Sequence, residues 1–350
     1  MKSSAVATEP AAERAAAAIL EEEGTVAEAL IAGFLAASAV RPGVLWAPLQ
    51  ALIAGPGTFA RAFDGRARQP GLGLPRPRGV VAQGSIPAAA HVAAPASLGA
   101  LALLHAYDAT LSFQKLARPA LEEAKGSGAK ERRAVLTKVA RLGPAALRAP
   151  AVLRPLLAVA GRTEGGLLSE QDLAEVRPES ALPREVPLGG ERSALVSPWP
   201  APQEPGRPVE VIVAADGRGV IGVLGYAPDD EGILVPELGL TLNRDAVVVR
   251  RGIPRVAPGE VLPTAAPLAV ALSSKLAFMA LGVRAAVPLS KADLEAIWPD
   301  DTVTASRSLA AAQSRAGGAT AVGIVRSADG SQVQKLSLPA RTGFPGDDAP

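Results

Sequence analysis

The 350 residues carry 36 Lys and Arg against 34 Asp and Glu, a net charge of +2, with 48% apolar but only 3% aromatic side chains. The absence of cysteine excludes disulfides, thiolate metal sites and a cysteine nucleophile, and the two histidines, His91 and His105, have no zinc-site spacing. Charges are spread, with no basic run interleaved with aromatics, so no nucleic-acid partner, metal or cofactor is expected. The apolar fraction supports a large core built from Ala, Val and Leu.

The first helix is expected from Pro10 to about Gly24, and a second from Thr25 to Val40, with Thr25 as cap and Glu28 as its capping-box partner. The second is apolar nearly all round, which places it in the core. Residues 46–63 read as strand, turn and strand around Gly55-Pro56-Gly57. A Pro/Gly/Arg loop follows at 66–78 and a short strand at 80–83. Helices are expected at 95–107, 112–125, 131–142 and 149–159.

Residues 183–208 hold seven prolines and little periodicity, as a linker or a long surface loop would. The reading therefore divides the chain into a helix-rich half, 1–182, the Pro-rich segment, and a strand-rich half, 209–350, forming one integrated domain. Strands are expected at 209–214, 219–224, 233–235, 246–249 and 268–272. Asp216-Gly217 is a hairpin turn. A helix at 290–298 is capped by Ser290 with Asp293, and a closing hairpin spans 321–326 and 333–338.

The N-terminus lacks the pattern of a secretory signal, and the apolar run 29–40 is too short to span a bilayer. A cytoplasmic protein with no membrane partner is expected.

Several segments, in order, resemble the gamma-glutamyltransferase family. Residues 6–12 and 19–29 resemble its alanine-rich opening helix and the turn that follows. Phe63-Asp64-Gly65-Arg66 with Pro70 resembles a worn Arg-Glu-Thr-Ala-Pro motif, and Ala117-Arg118-Pro119-Ala120 falls in a similar helical block. Residues 211–220 resemble the strand-turn-strand that opens the small subunit. Glu237 to Asn243 resembles the Gly-Ile-Leu-Leu-Asn segment, and Pro258-Gly259 with Pro263-Thr264 a later Pro-Gly…Pro…Ser-Ser stretch. Residues 338–343 resemble the closing Asp-Pro-Arg…Gly.

The resemblance implies an α+β fold, a four-layer αββα sandwich of N-terminal-nucleophile hydrolase type. It also implies a precursor that cuts itself to expose a threonine, whose own amine is the base; this threonine attacks a gamma-glutamyl amide, and backbone amides of a glycine pair hold the oxyanion that forms.

The residues that would carry this chemistry do not match. Counting back from Asp216-Gly217, the expected threonine pair falls at about Arg207-Pro208. The weak candidate nucleophiles are Ser197, about ten residues early and followed by proline, and Thr264, where the family's paired serines become Thr264-Ala265. The glycine pair would fall near Leu281-Gly282-Val283-Arg284, with one glycine left. The acidic pair that follows the asparagine becomes Val247-Val248. Arg66 and Asn243 are the candidate substrate-binding residues, as carboxylate clamp and amide partner. Asp229-Asp230-Glu231 reads as an acidic turn.

The favoured reading is a catalytically degenerate, uncleaved relative kept as a binding or assembly scaffold, with a protein partner such as a competent homologue; a homo-oligomer is also compatible. The first alternative is an active gamma-glutamyl hydrolase or transferase with a displaced nucleophile. The second is a sensor of an amino acid or a glutathione-type ligand.

Overall fold

The computed structural model describes residues 2–56, 58–75, 86–202, 205–249, 255–273, 276–297, 302–327 and 332–340. The chain opens with strand β1 (Ser4–Ala7) and helix α1 (Pro10–Glu21), which has Pro10 in its first turn, where a missing N–H costs nothing. Helix α2 (Val26–Val40) starts at the expected capping box: Thr25 accepts from the Glu28 N–H, and Glu28 accepts from the Thr25 N–H. It is buried along almost its whole length, as its apolar circumference requires.

Strands β2 (Leu49–Gly55) and β3 (Thr58–Gly65) form the expected hairpin. The expected strand at 80–83 lies outside the described residues. Helix α3 (Ser97–Asp108) follows. The single helix expected at 112–125 is two: α4 (Phe113–Leu116) and α5 (Arg118–Gly126), with Pro119 starting the second. Then come α6 (Lys130–Leu142), α7 (Pro150–Ala160) and the short α8 (Glu170–Glu175).

Strand β4 (Glu179–Ala181) precedes a departure from expectation. The Pro-rich segment at 183–208 is not merely a linker: β5 (Arg184–Gly189) and β6 (Arg192–Val196) form a hairpin that turns through Gly190-Glu191, directly after Gly189. Both glycines have positive φ, 97° and 62°, which a tight turn needs and other residues resist. Pro187 is tolerated because β5 is an edge strand, where a ladder N–H is dispensable.

Strands β7 (Glu210–Ala215), β8 (Ile221–Tyr226) and β9 (Ile233–Val235) fall as expected, with β10 (Leu240–Leu242) added. Residues 246–249, expected as a strand, make no ladder. Their backbone is held instead by His91, whose carbonyl accepts from Ala246, and by Gln69, whose side chain brackets Val247. The chain closes with β11 (Leu268–Ser273), β12 (Leu276–Val283), α9 (Lys291–Ile297), α10 (Thr302–Arg315), β13 (Ala321–Arg326) and β14 (Val333–Leu338). Ser290 and Asp293 cap α9 as expected.

Two six-stranded sheets, ordered β1-β7-β8-β2-β3-β4 and β14-β13-β12-β11-β6-β5, stack face to face. Strand alternation builds the layers. In β7, Val211, Val213 and Ala215 point between the sheets while Ile212 and Ala214 face the helices. In β11, Leu268, Val270 and Leu272 point between the sheets, and Ala269 and Ala271 pack outward in the α9–α10 layer. With α1, α2 and α3 covering the first sheet and α9 and α10 the second, the architecture is the expected αββα sandwich. The first sheet draws β1, β2, β3 and β4 from before the Pro-rich segment and β7 and β8 from after it.

Candidate functional site

The entry to β7 is the place where the chemistry implied by the sequence would sit. Between Ser197 and Glu210 the chain contains no Ser, Thr or Cys. Val209 is 1% exposed, its N–H donates to the Ala285 carbonyl at 3.1 Å, and its side chain packs with Ala227 and Ala265. The two sheets approach closely here. A Cβ on Gly225 would stand 3.0 Å from Leu268 of the opposing sheet, and one on Gly282 would stand 2.5 Å from Val211. Gly282, expected in an oxyanion loop, instead lies inside β12, paired with Leu268 and Val322. Its lack of a side chain admits the opposing sheet.

Ser197 and Thr264 are brought together. They line one cavity of about 30 Å³ with Trp199, Ala201, Leu268 and Pro288. That volume holds about one water molecule. Ser197 Oγ accepts from the Trp199 N–H at 3.4 Å, a local turn contact, and among the described residues no histidine or carboxylate is placed to act as its base.

Arg66 adjoins this cavity through Trp199. Its guanidinium carbon lies 5.5 Å from the centre of the Trp199 ring, and Nη1 donates to the Pro200 carbonyl at 3.5 Å. Nε and Nη2 donate to the two oxygens of Asp64 at 2.8 and 3.2 Å, a bidentate pair between residues only 4% and 0% exposed. Arg68 reaches the same Asp64 carboxylate at 3.3 Å and the Arg177 carbonyl at 2.9 Å. Asp64 thus occupies the position that a ligand carboxylate would take on Arg66.

Asn243 is elsewhere, fully buried, with both ends of its amide used by the chain. Oδ1 accepts from the Asp229 N–H at 3.2 Å, and Nδ2 donates to the Ala227 carbonyl at 2.9 Å. It fixes the turn after β8.

Around it stand four charges. Asp229 accepts from Arg244 at 2.8 and 3.0 Å, and Arg207 pairs with Asp245 and lies 3.7 Å from Asp229. Burial pushes the Asp229 carboxyl up, but the Arg244 hydrogen bond and the Arg207 charge outweigh it and hold it below its ordinary value. Burial dominates at Asp245 and holds it above its ordinary value, with Arg207 only partly offsetting. The 229–231 segment is therefore an ion-pair hub, Asp230 joining Arg41, rather than a plain acidic turn.

Sequence reasoning overlooked Asp64 and Asp245. Asp245 stands two residues after Asn243, ahead of the valines taken as replacements for the acidic pair. Asp64 was visible only as part of a worn motif.

No family model and no curated protein matches the sequence. Solved structures do. A threonine-to-alanine variant of LmbA2991 superposes with a TM-score of 0.74 at 13% identity, covering 97% of this chain and 96% of that one. The cephalosporin acylase from Bacillus halodurans gives 0.73 at 14% identity, covering 97% and 94%. The gamma-glutamyltranspeptidase from Pseudomonas nitroreducens complexed with L-DON matches in part, with a TM-score of 0.46 at 16% identity over 56% of this chain and 71% of that one. The full-length superpositions, together with the two stacked sheets and their helical covers, show that this chain has the fold of the N-terminal-nucleophile hydrolases.

Proposed function

We propose that the protein is a catalytically silent member of this fold group, an uncleaved chain used as a binding or assembly scaffold. One observation carries the reading: the strand that should present an N-terminal nucleophile is entered through Arg207-Pro208-Val209, with Val209 sealed between the sheets. A nucleophile of this type needs a hydroxyl or thiol and a freed amine on one residue. Valine has no hydroxyl, and its amide is hydrogen-bonded within the chain.

The intact mass of the purified protein after prolonged incubation tests this. A single mass for the unbroken chain, with no release of p-nitroaniline from gamma-glutamyl-p-nitroanilide, is the expected result. Two fragments split between Ser193 and Glu210, the second beginning with a hydroxyl residue, would overturn it.

A second reading, an acylase or gamma-glutamyl hydrolase with a displaced nucleophile, is favoured by one feature, the convergence of Ser197 and Thr264 on one cavity. The size of that cavity argues against it, since a substrate needs roughly ten times the volume. The sensor reading needs Arg66 and Asn243 to be available. Arg66 is committed to Asp64 and Asn243 to backbone groups, and the two serve different parts of the fold. The scaffold's natural partner on this reading is a protein, a competent chain of the same fold or a second copy.

A further inference from the structure

Although the whole chain is nearly neutral, residues 132–163 contain seven basic residues and no acidic one, which leaves the rest of the chain acidic. This stretch covers α6 beyond its first two residues, a 3₁₀ turn at Gly143–Arg148, and α7, and exposed Glu131 and Glu164 flank it at either end. Arg132 is spent inside the fold, donating to the carbonyls of Gly239 and Ala39. The others face solvent: Arg133, Arg141, Arg148, Arg154 and Arg162 are exposed and Lys138 is half-buried. None of these six makes an ion pair among the described residues, although arginines elsewhere, such as Arg41, Arg66, Arg218 and Arg244, are paired.

Apolar groups separate these cations. Leu142, beside Arg141, is 41% exposed, and Leu153 is partly exposed among Pro150, Ala151 and Pro155, whereas Leu157 packs against the core. The stretch has no aromatic residue, no Asn and no Gln, so it offers neither stacking platforms nor amide donors for nucleic-acid bases. The two helical runs, Lys130–Arg148 and Pro150–Glu164, meet with a bend of 49°. Among the described residues no single helix is long and apolar enough to cross a membrane.

We propose that this α6–α7 surface docks onto anionic lipid membranes, with the arginines on headgroup phosphates and Leu142 and its neighbours at the acyl boundary. The chemistry is that of interfacial helices, in which long basic side chains keep their charge in the headgroup layer while apolar neighbours enter below it. Each basic residue near an anionic leaflet contributes about a fivefold gain in partitioning. This departs from the expectation that the chain has no membrane partner, and it stands apart from the question of catalysis.

The test is co-sedimentation of the full chain with phosphatidylglycerol/phosphatidylcholine vesicles and with pure phosphatidylcholine vesicles. Binding to the anionic vesicles alone, released by added salt, is expected. The variant R141E/R148E/R154E should lose binding by roughly a hundredfold or more, and L142D by roughly tenfold, with thermal melts close to that of the parent because all four positions are exposed. If either variant melts early, Arg162→Glu, at the far end of the surface, is measured in its place. Equal binding to neutral vesicles, no binding to either, or capture of a single-stranded RNA without binding to vesicles would each overturn the proposal.

Discussion

The guanidinium of Arg66 is enclosed between two groups of its own chain, the Asp64 carboxylate 2.8 Å from its Nε and the Trp199 ring 5.5 Å from its central carbon. Asp64 is supplied by the end of strand β3, while Trp199 comes from the segment leading out of β6. A residue that the sequence marks as a ligand clamp is thereby made into a tie between the two sheets.

Removing Asp64 should therefore be costly. Asp64→Ala leaves Arg66 buried without a carboxylate and Arg68 with only the exposed Glu179, 3.7 Å away, and breaking a buried pair by deleting one partner typically costs about 3–5 kcal/mol. Arg66→Lys keeps the charge but loses the bidentate fork and the stacking on Trp199, so a smaller loss, about 1–2 kcal/mol, is expected. Urea unfolding of the two variants measures both, and an Asp64→Ala variant as stable as the parent would show that the pair contributes nothing net.

The same enclosure predicts how small ligands behave. L-Glutamate and glutathione at millimolar concentration should leave the melting temperature unchanged, because a carboxylate would have to displace Asp64. A reproducible rise that saturates with concentration, absent in the Arg66→Lys variant, would revive the sensor reading.

Glu28 gives a pH dependence with a definite sign. Burial pushes its carboxyl up, but N–H groups of Leu111, Thr25 and Thr110 donate to it and hold it below its ordinary value of 4.5. A group depressed on folding stabilises the native state above its unfolded pKa, and that contribution disappears as pH falls through the folded value. Glu28→Gln should thus be less stable than the parent at neutral pH by about 1–3 kcal/mol, and the gap should shrink below pH 4.5. Paired thermal melts across that range check it; a gap that widens toward acid would contradict the assignment.

Val209→Thr restores a hydroxyl at the entry to β7 with almost no change of shape. Burying that hydroxyl without a partner should cost about 1–3 kcal/mol and leave the chain uncleaved. Mass spectrometry and a melting curve decide it. Cleavage before residue 209 would mean that the end of the sandwich is less tightly closed than its glycine contacts indicate.

Much of the fold was legible because periodicity and caps act locally. The α2 capping box, the Asp216-Gly217 hairpin and the Ser290–Asp293 cap are all short-range chemistry. What escaped depends on partners distant in sequence. Strand β1 exists because β7 lies beside it, and β5 carries a proline that only its edge position excuses. The site was harder still. Asn243 and Arg66 were picked out by type, but their roles are set by Ala227, Asp229 and Asp64, and no spacing rule announces that a charge is already answered.

The pairing of β1 with β7, Val6 opposite Val213, has a consequence for biosynthesis. On the ribosome, α1 and α2 emerge well before β7 and β8, the strands their apolar faces cover, since α2 ends at Val40 and β7 begins only at Glu210. Closing such distant contacts is slow, and the intermediate exposes greasy helices meanwhile. Production of this protein should therefore be limited by chaperone supply and elongation rate more than by the stability of the finished sandwich.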